Sequence, residues 1–244
     1  MPVYATRRAA EAYGYSVGIL LLDFRGAFVP GDVGNATTYP YPVLYKTVPG
    51  AAGARVLAGD PEIEGAVIEA AKWLESQGVK AISSDCGFFV NYQDAVAKAV
   101  KIPVALSSLI QLPFLSQFVG DRRSIGVITA SSRALGNRVL ELTGVEPERE
   151  VVVEGLQDQP HFKEACLDEG DELDTARIEA ETVAVAKRMV KNHPNMGAIL
   201  IECSMLPPYS KAVQDATGLP VVDFITLIDY VQKGTHQRAY QGYY

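Results

Sequence analysis

The sequence predicts an α/β fold built on parallel sheets. Short apolar runs rich in valine and isoleucine alternate with longer stretches of helical period, the pattern of βα units. The chain has 244 residues, 48% of them hydrophobic and 21% charged, which suits one α/β unit or two compact halves with a real core.

The elements follow in order. "SVGILLL" from Ser16 reads as the first strand. A helix is expected from Asp60, whose side chain can cap exposed amides while Pro61 suits the first helical position. Ile63, Val67, Ala70, Ala71 and Leu74 share one face of it, and Gly78 ends it. "VKAIS" is the next buried strand, followed by a helix after Cys86, a strand at "IPVAL" and a helix to about Val119. "SIGVITA" is a strand, with a helix ending near Gly144 and then the strand "EVVVEG". A helix from about Asp174 to Asn192, the strand "MGAILIE", a helix after Pro208, the strand "LPVVD" and a helix to about Gly234 complete the series.

Residues 23–50 interrupt this regularity with proline, glycine, threonine and tyrosine. A long connection at the carboxyl end of a first strand, where open α/β sheets bind ligands, reads as a substrate-covering segment. The tail "RAYQGYY" reads as a packing element rather than a chemical one.

Charge narrows the partners. A net charge of -7 and a pI near 5.1, with no basic cluster, oppose a phosphate backbone, so nucleic acid is not expected. The first fifteen residues lack the pattern of a secretory signal, and no apolar run reaches the ~20 residues that span a bilayer. A cytoplasmic protein without a membrane partner is expected. Cys86, Cys166 and Cys203 form no CxxC pair, and His161, His193 and His236 have no ligand spacing, so neither a disulfide framework nor a metal site is expected.

An internal repeat singles out two of the thiols. "AISSDCGFFVNYQDAVAKAVKIPV" from Ala81 lies without a gap over "AILIECSMLPPYSKAVQDATGLPV" from Ala198. One offset of 117 residues carries Cys86 onto Cys203, Tyr92 onto Tyr209 and Pro103-Val104 onto Pro220-Val221, with Asp85 or Glu202 before each cysteine. A lone buried cysteine is usually packing, the reading kept for Cys166, but two at equivalent strand ends suggest a thiol on either wall of one cleft. Such a pair suits removal of a proton from one face of a carbon and its return to the other. The thiols would have to ionise, which helix amino termini favour and inward-pointing Asp85 or Glu202 would oppose.

On the paired "SSDCGF" and "IECSMLPP" strand ends, the opening "VGILLLD" and the "TTYPYPVLY" segment, the chain resembles the aspartate/glutamate racemase superfamily from about Ser16 to Gly234. That superfamily also holds hydantoin racemases, maleate isomerases and arylmalonate decarboxylases. The resemblance implies two pseudo-symmetric three-layer α/β halves with parallel sheets and the active site between them. A tail at 1–15, a first half of 16–119 plus about 221–244, and a second half of 120–220 would result. It implies Cys86 and Cys203 as the acid/base pair, with no cofactor and no pyridoxal phosphate. Gly87, Phe88 and Ser204 would hold a substrate carboxylate by their amides, with Ser131 and Tyr39 beside them. Tyr39 and Phe88 also read as core aromatics, and Ser131 as a helix cap.

Gly87-Phe88 and Ser204-Met205 stand where glutamate and aspartate racemases typically have Asn-Thr and Thr-His, which points away from free aspartate or glutamate. "CSMLPPYS" looks like the second-cysteine segment of maleate isomerases, and retaining both cysteines argues against a decarboxylase. The expected function is a cofactor-independent racemase or epimerase acting beside a carboxylate. A maleate-type cis-trans isomerase and a non-catalytic small-acid-binding protein are the alternatives, and Arg25 or Lys46 could meet the carboxylate in any of them. A symmetric homo-oligomer is compatible with this reading.

Overall fold

The computed structural model describes residues 6–120 and 123–243; the first five residues of the expected tail and the final Tyr244 lie outside them. The chain forms two parallel sheets. The first has the order β2-β1-β3, from β1 (Val17–Leu21), β2 (Val43–Thr47) and β3 (Ala81–Ser84). The second has the order β5-β4-β6-β7, from β4 (Ser124–Thr129), β5 (Val151–Gly155), β6 (Met196–Ile201) and β7 (Val221–Val222).

Both sheets repeat one plan. Ile199 pairs with Val221 in the second sheet, and its twin Ile82 makes a single parallel bridge to Val104 in the first. The expected strand "IPVAL" is therefore only a bridge. Pro103 has no N–H to donate, so its carbonyl takes the bond from Ile82 while Ala105 donates to Ile82.

Helices cover the sheets: α1 (Gly53–Ala58), α2 (Glu64–Gln77), α3 (Gln93–Ala99), α4 (Leu112–Val119) and α5 (Asn137–Glu141). Next come α6 (Pro160–Phe162), α7 (Thr175–Asn192), α8 (Ser210–Thr217) and α9 (Phe224–Thr235). Asp60 caps a 3-10 turn ahead of α2, and Gly78 closes α2 at φ 89°, a left-handed conformation that glycine tolerates. Asp174 caps α7 by accepting from Ala176 and Arg177, and Asp223 with Thr226 forms a capping box on α9.

All of β4 and β6 is buried, as expected of parallel strands covered on both faces. The last helix returns to the first sheet: Phe224 and Ile228 of α9 pack with Val17, Ile19, Val33 and Tyr39. At the carboxyl end, Tyr240 and Tyr243 are exposed, so among the described residues these two tail rings stand clear of the core. Among the described residues, no helix is long and apolar enough to cross a membrane.

Candidate active site

The twin strands deliver the twin thiols. β3 and β6 are each followed by an acidic residue and then cysteine, and each cysteine carbonyl opens the next turn, Phe89 donating to Cys86 at 3.0 Å and Leu206 to Cys203 at 3.1 Å. Asp85 and Glu202 are anchored alike, their amides donating to Leu20 and Ile128 on the central strands β1 and β4. The same local bonding thus holds both sulfurs at carboxyl ends of parallel strands, where such sheets bind ligands.

Cys86 and Cys203 line one cavity of about 360 Å³. Residues near the first sheet supply Leu22, Phe24, Phe28 and Leu57, and those near the second supply Ala130, Phe162, Cys166 and Met205. The turns after the cysteines are tied across this cavity in both directions. The Ser204 hydroxyl donates to the carbonyl of Asp85, and the Glu202 carboxylate accepts from the amide of Gly87. Each bond joins the residue before one cysteine to the residue after the other.

Glu202 is buried, yet well supplied with donors: Thr129 Oγ1 at 2.6 Å and the amides of Ala130 and Gly87. Gly87 leaves the room for it, since a Cβ there would lie 2.0 Å from Glu202 Oε1. Asp85 accepts from the Leu22 amide at 2.9 Å. Burial raises both acids to about 7, against the pull of these bonds.

The thiols are held protonated. Burial first, then Glu202 and Asp85, push Cys86 well above its ordinary value, and the amides of Phe88 and Phe89 pull the other way. For Cys203 burial again leads, followed by Glu202 and Cys166, with the Met205 amide opposing. The acids preceding the cysteines do oppose ionisation, and the turn amides favour it.

The other expected site residues divide. The Gly87 and Phe88 amides serve Glu202 and Cys86 respectively, while Gly87, Phe88 and Ser204 line the cavity. Ser131 and Tyr39 are not among its lining residues. Tyr39 is a core aromatic, 8% exposed, donating its hydroxyl to Val33 at 3.1 Å. The Ser131 amide donates to Thr129. Arg25 pairs with Asp171 at 2.5 Å and Lys46 lies over the Trp73 ring, so neither guanidinium nor ammonium lines the cavity.

Cys166 is packed in the core of the second sheet, as the sequence reading expected, and also forms part of the cavity wall. It sits in a π-helical turn, Lys163–Leu167, that extends α6. Glu181 of α7 fixes the start of this unit, accepting from the amides of His161 and Phe162 at 2.9 and 2.8 Å. Of residues 23–50, only Phe24 and Phe28 reach the cavity, because the segment also contains the edge strand β2. Among the described residues, no cluster of potential metal ligands occurs.

No model of a known protein family matches the chain. Relatives do: a dimethylsulfoniopropionate lyase of Durusdinium sp. clade D is 37% identical over 226 residues, covering 90% of this chain and 74% of that protein. The chain belongs to the dimethylsulfoniopropionate lyase family. Dimethylsulfoniopropionate lyase 7 of Emiliania huxleyi is also 37% identical, over 86% of this chain, but the chain spans 64% of that protein's length. Against lyase 3 of the same organism, at 34% identity, it spans 57%.

This lyase-family chain has the fold of the Asp/Glu racemase superfamily. An arylmalonate decarboxylase mutant superposes at TM-score 0.62 with 18% identity, covering 93% of this chain and 97% of that one. Allantoin racemase from Pseudomonas fluorescens gives TM-score 0.62 at 14% identity over 89% of both chains. Glutamate racemase from Francisella tularensis gives 0.54 at 19% identity, over 91% of this chain and 79% of that one. The sequence relatives carry a lyase name where the motifs pointed to an isomerase.

Proposed function

We propose that this protein cleaves dimethylsulfoniopropionate, or a close β-sulfonium carboxylate, by α-proton abstraction and β-elimination. One observation carries the reading: in a chain of the dimethylsulfoniopropionate lyase family, two thiols at twin strand ends line a single buried cavity. A cysteine thiolate takes the proton from the carbon beside the carboxylate. Its electron pair becomes the new C=C bond, the C–S bond breaks, and dimethyl sulfide leaves with that bond's electrons, giving acrylate. No oxidant or reductant is consumed.

Cys86 is assigned the base role, its negative charge being met by the amides of Phe88 and Phe89 at the start of the next turn. The buried setting that resists ionisation also makes the thiolate a stronger base once formed, as abstraction beside a carboxylate requires. A sulfonium bound beside it offsets part of the cost of ionisation. The elimination returns no proton to either product, so the proton taken by Cys86 passes on to solvent and Cys203 faces the substrate from the other side as a neutral thiol.

A second reading is two-base racemisation or epimerisation, supported by the reciprocal ties that make the two cysteine turns equivalents of one another. One experiment separates the two. The protein is given dimethylsulfoniopropionate in D₂O, dimethyl sulfide is measured in the headspace, and acrylate and α-proton signals are followed by NMR. Dimethyl sulfide and acrylate in equal amounts, lost in Cys86→Ala and Cys203→Ala, are expected. A parallel sample receives each enantiomer of a chiral α-substituted carboxylate, and wash-out of its α-proton with no dimethyl sulfide from the first sample would replace the lyase reading with the racemase one.

A further inference from the structure

The cavity has an unusual balance of charge and surface. Four phenylalanines line it, Phe24, Phe28, Phe88 and Phe162, and its charged lining residues are all acidic: Asp85, Glu202 and Glu169. No lysine, arginine or histidine is among them. Arg25, which lies in sequence between the lining residues Phe24 and Phe28, directs its guanidinium to Asp171, while its amide donates to Glu169.

These carboxylates already serve as acceptors. Glu202 takes Thr129, Ala130 and Gly87, Asp85 takes Leu22, and Glu169 takes Arg25. Part of the acceptor capacity of these carboxylates is thus already used, and what the cavity offers most of is ring surface. A primary ammonium, which needs several acceptors, is poorly served there. A methylated onium has no N–H to satisfy and is attracted by ring faces and by charge at longer range.

Two rings stand where they do because glycines make space for them. A Cβ at Gly26 would lie 2.4 Å from the Phe24 ring, and one at Gly34 would lie 2.8 Å from the Phe28 ring. The rings meet at 6.3 Å between centroids, tilted by 54°. Phe24, from the connection after β1, packs against the core cluster of the second sheet. Both rings are half-buried, so they present surface to a ligand as well as to the core.

We propose that the phenylalanine-lined wall is a binding site for methylated onium groups, sulfonium and quaternary ammonium alike, with Phe24 and Phe28 as residues that set this specificity. The inference rests on the cavity being the substrate site but extends to ligands that do not react. A quaternary ammonium propionate binds there as a dead-end ligand, its amine being the poorer leaving group.

The test is calorimetric binding to the full chain of three small carboxylates: 3-(trimethylammonio)propanoate, its uncharged isostere 4,4-dimethylpentanoate, and 3-aminopropanoate. The onium compound is expected to bind ~10-fold more tightly than the isostere, in line with cation–π attraction in a desolvated site, and more tightly than the primary amine. In Phe24→Leu/Phe28→Leu the preference over the isostere falls below ~3-fold, and Phe28→Tyr retains it, with melting temperatures showing that each variant is folded. Equal affinity for the onium and its isostere, no binding of either at millimolar concentration, or an unchanged preference in the leucine variant overturns the proposal. Lyase turnover without charge preference would leave the elimination reading standing and remove this one. Charge preference without turnover would do the reverse.

Discussion

The hydroxyl of Ser204 donates to the carbonyl of Asp85, fastening the residue after one cavity-lining cysteine to the residue before the other. With the return bond from Gly87 to Glu202, it fixes the spacing of the two thiols from both sides. Removing it leaves a buried carbonyl without this donor, at a cost of about 1–3 kcal/mol. Ser204→Ala is expected to melt several degrees lower and to lose kcat more than apparent affinity, which steady-state kinetics beside a thermal melt will check.

Gly87→Ala tests the return bond. A Cβ at 2.0 Å from Glu202 Oε1 forces that carboxylate off its donors or the turn away from the cavity. The expected result is a loss of at least ~10²-fold in kcat/KM with about 2–4 kcal/mol of destabilisation, measured by urea unfolding. Gly53→Ala is the control: it also alters a lining glycine, but nothing lies within 4 Å of its added Cβ.

The pH dependence of turnover follows from the raised thiols. Burial, Glu202 and Asp85 disfavour the ionised form of Cys86, and that form is the proposed base. The active fraction therefore grows as pH rises, and kcat/KM is expected to climb by roughly tenfold per unit through neutrality and past pH 8. A profile flat between pH 6 and 8 would mean that the base is not a thiol held protonated.

Stability is expected to run the opposite way. Burial raises Asp32 from 3.8 to about 8, with its bond from Gly34 opposing and the charge of Asp85 adding to the rise. A group whose folded value is raised contributes stability that is full below its unfolded value and is lost as pH climbs through the folded one. The melting temperature should fall from pH 5 to pH 9. Asp32→Asn keeps an acceptor for Gly34 and should flatten that fall, raising the melting temperature at pH 8 by roughly 2–8 °C for about 1–2 kcal/mol. Asp85 and Glu202, at about 7, account for the remaining slope.

The repeat also yields an internal comparison. Tyr92 donates its hydroxyl to Asp60 at 2.9 Å, whereas the buried hydroxyl of its twin Tyr209 has no hydrogen-bond partner among the described residues. Tyr92→Phe should cost about 1 kcal/mol and Tyr209→Phe close to nothing or less, by chemical denaturation.

The sequence revealed the strands that carry the thiols because parallel strands buried on both faces leave continuous apolar runs, as β4 and β6 do. The shared offset then related Cys86 to Cys203, a relationship the sheets reproduce in the pairing of Ile82 and Ile199. β2 was hidden because it is a half-buried edge strand with Tyr45 and Lys46 inside it. The cavity wall was hidden for a different reason. Phe24, Phe28, Phe162 and Cys166 are apolar residues from separate segments, and in a linear pattern a ligand-facing ring reads the same as a core-facing one. Tyr39 shows the converse, since a tyrosine in a polar loop looks available while its hydroxyl is committed to Val33.

The return of α9 to the first sheet has a consequence for how the protein is made. Phe224 and Ile228 complete a layer begun by Val17 and Ile19, so that layer joins residues from opposite ends of the chain. A ribosome building from the amino end leaves this face of the first sheet uncovered until α9 has been made, well after β1, while β4, β5 and β6 already have one another. Contacts so distant in sequence close late and slowly. The newborn chain therefore passes through a stage in which its second sheet can be assembled and its first still exposes an apolar face, the stage at which it is most vulnerable to aggregation and most dependent on a chaperone.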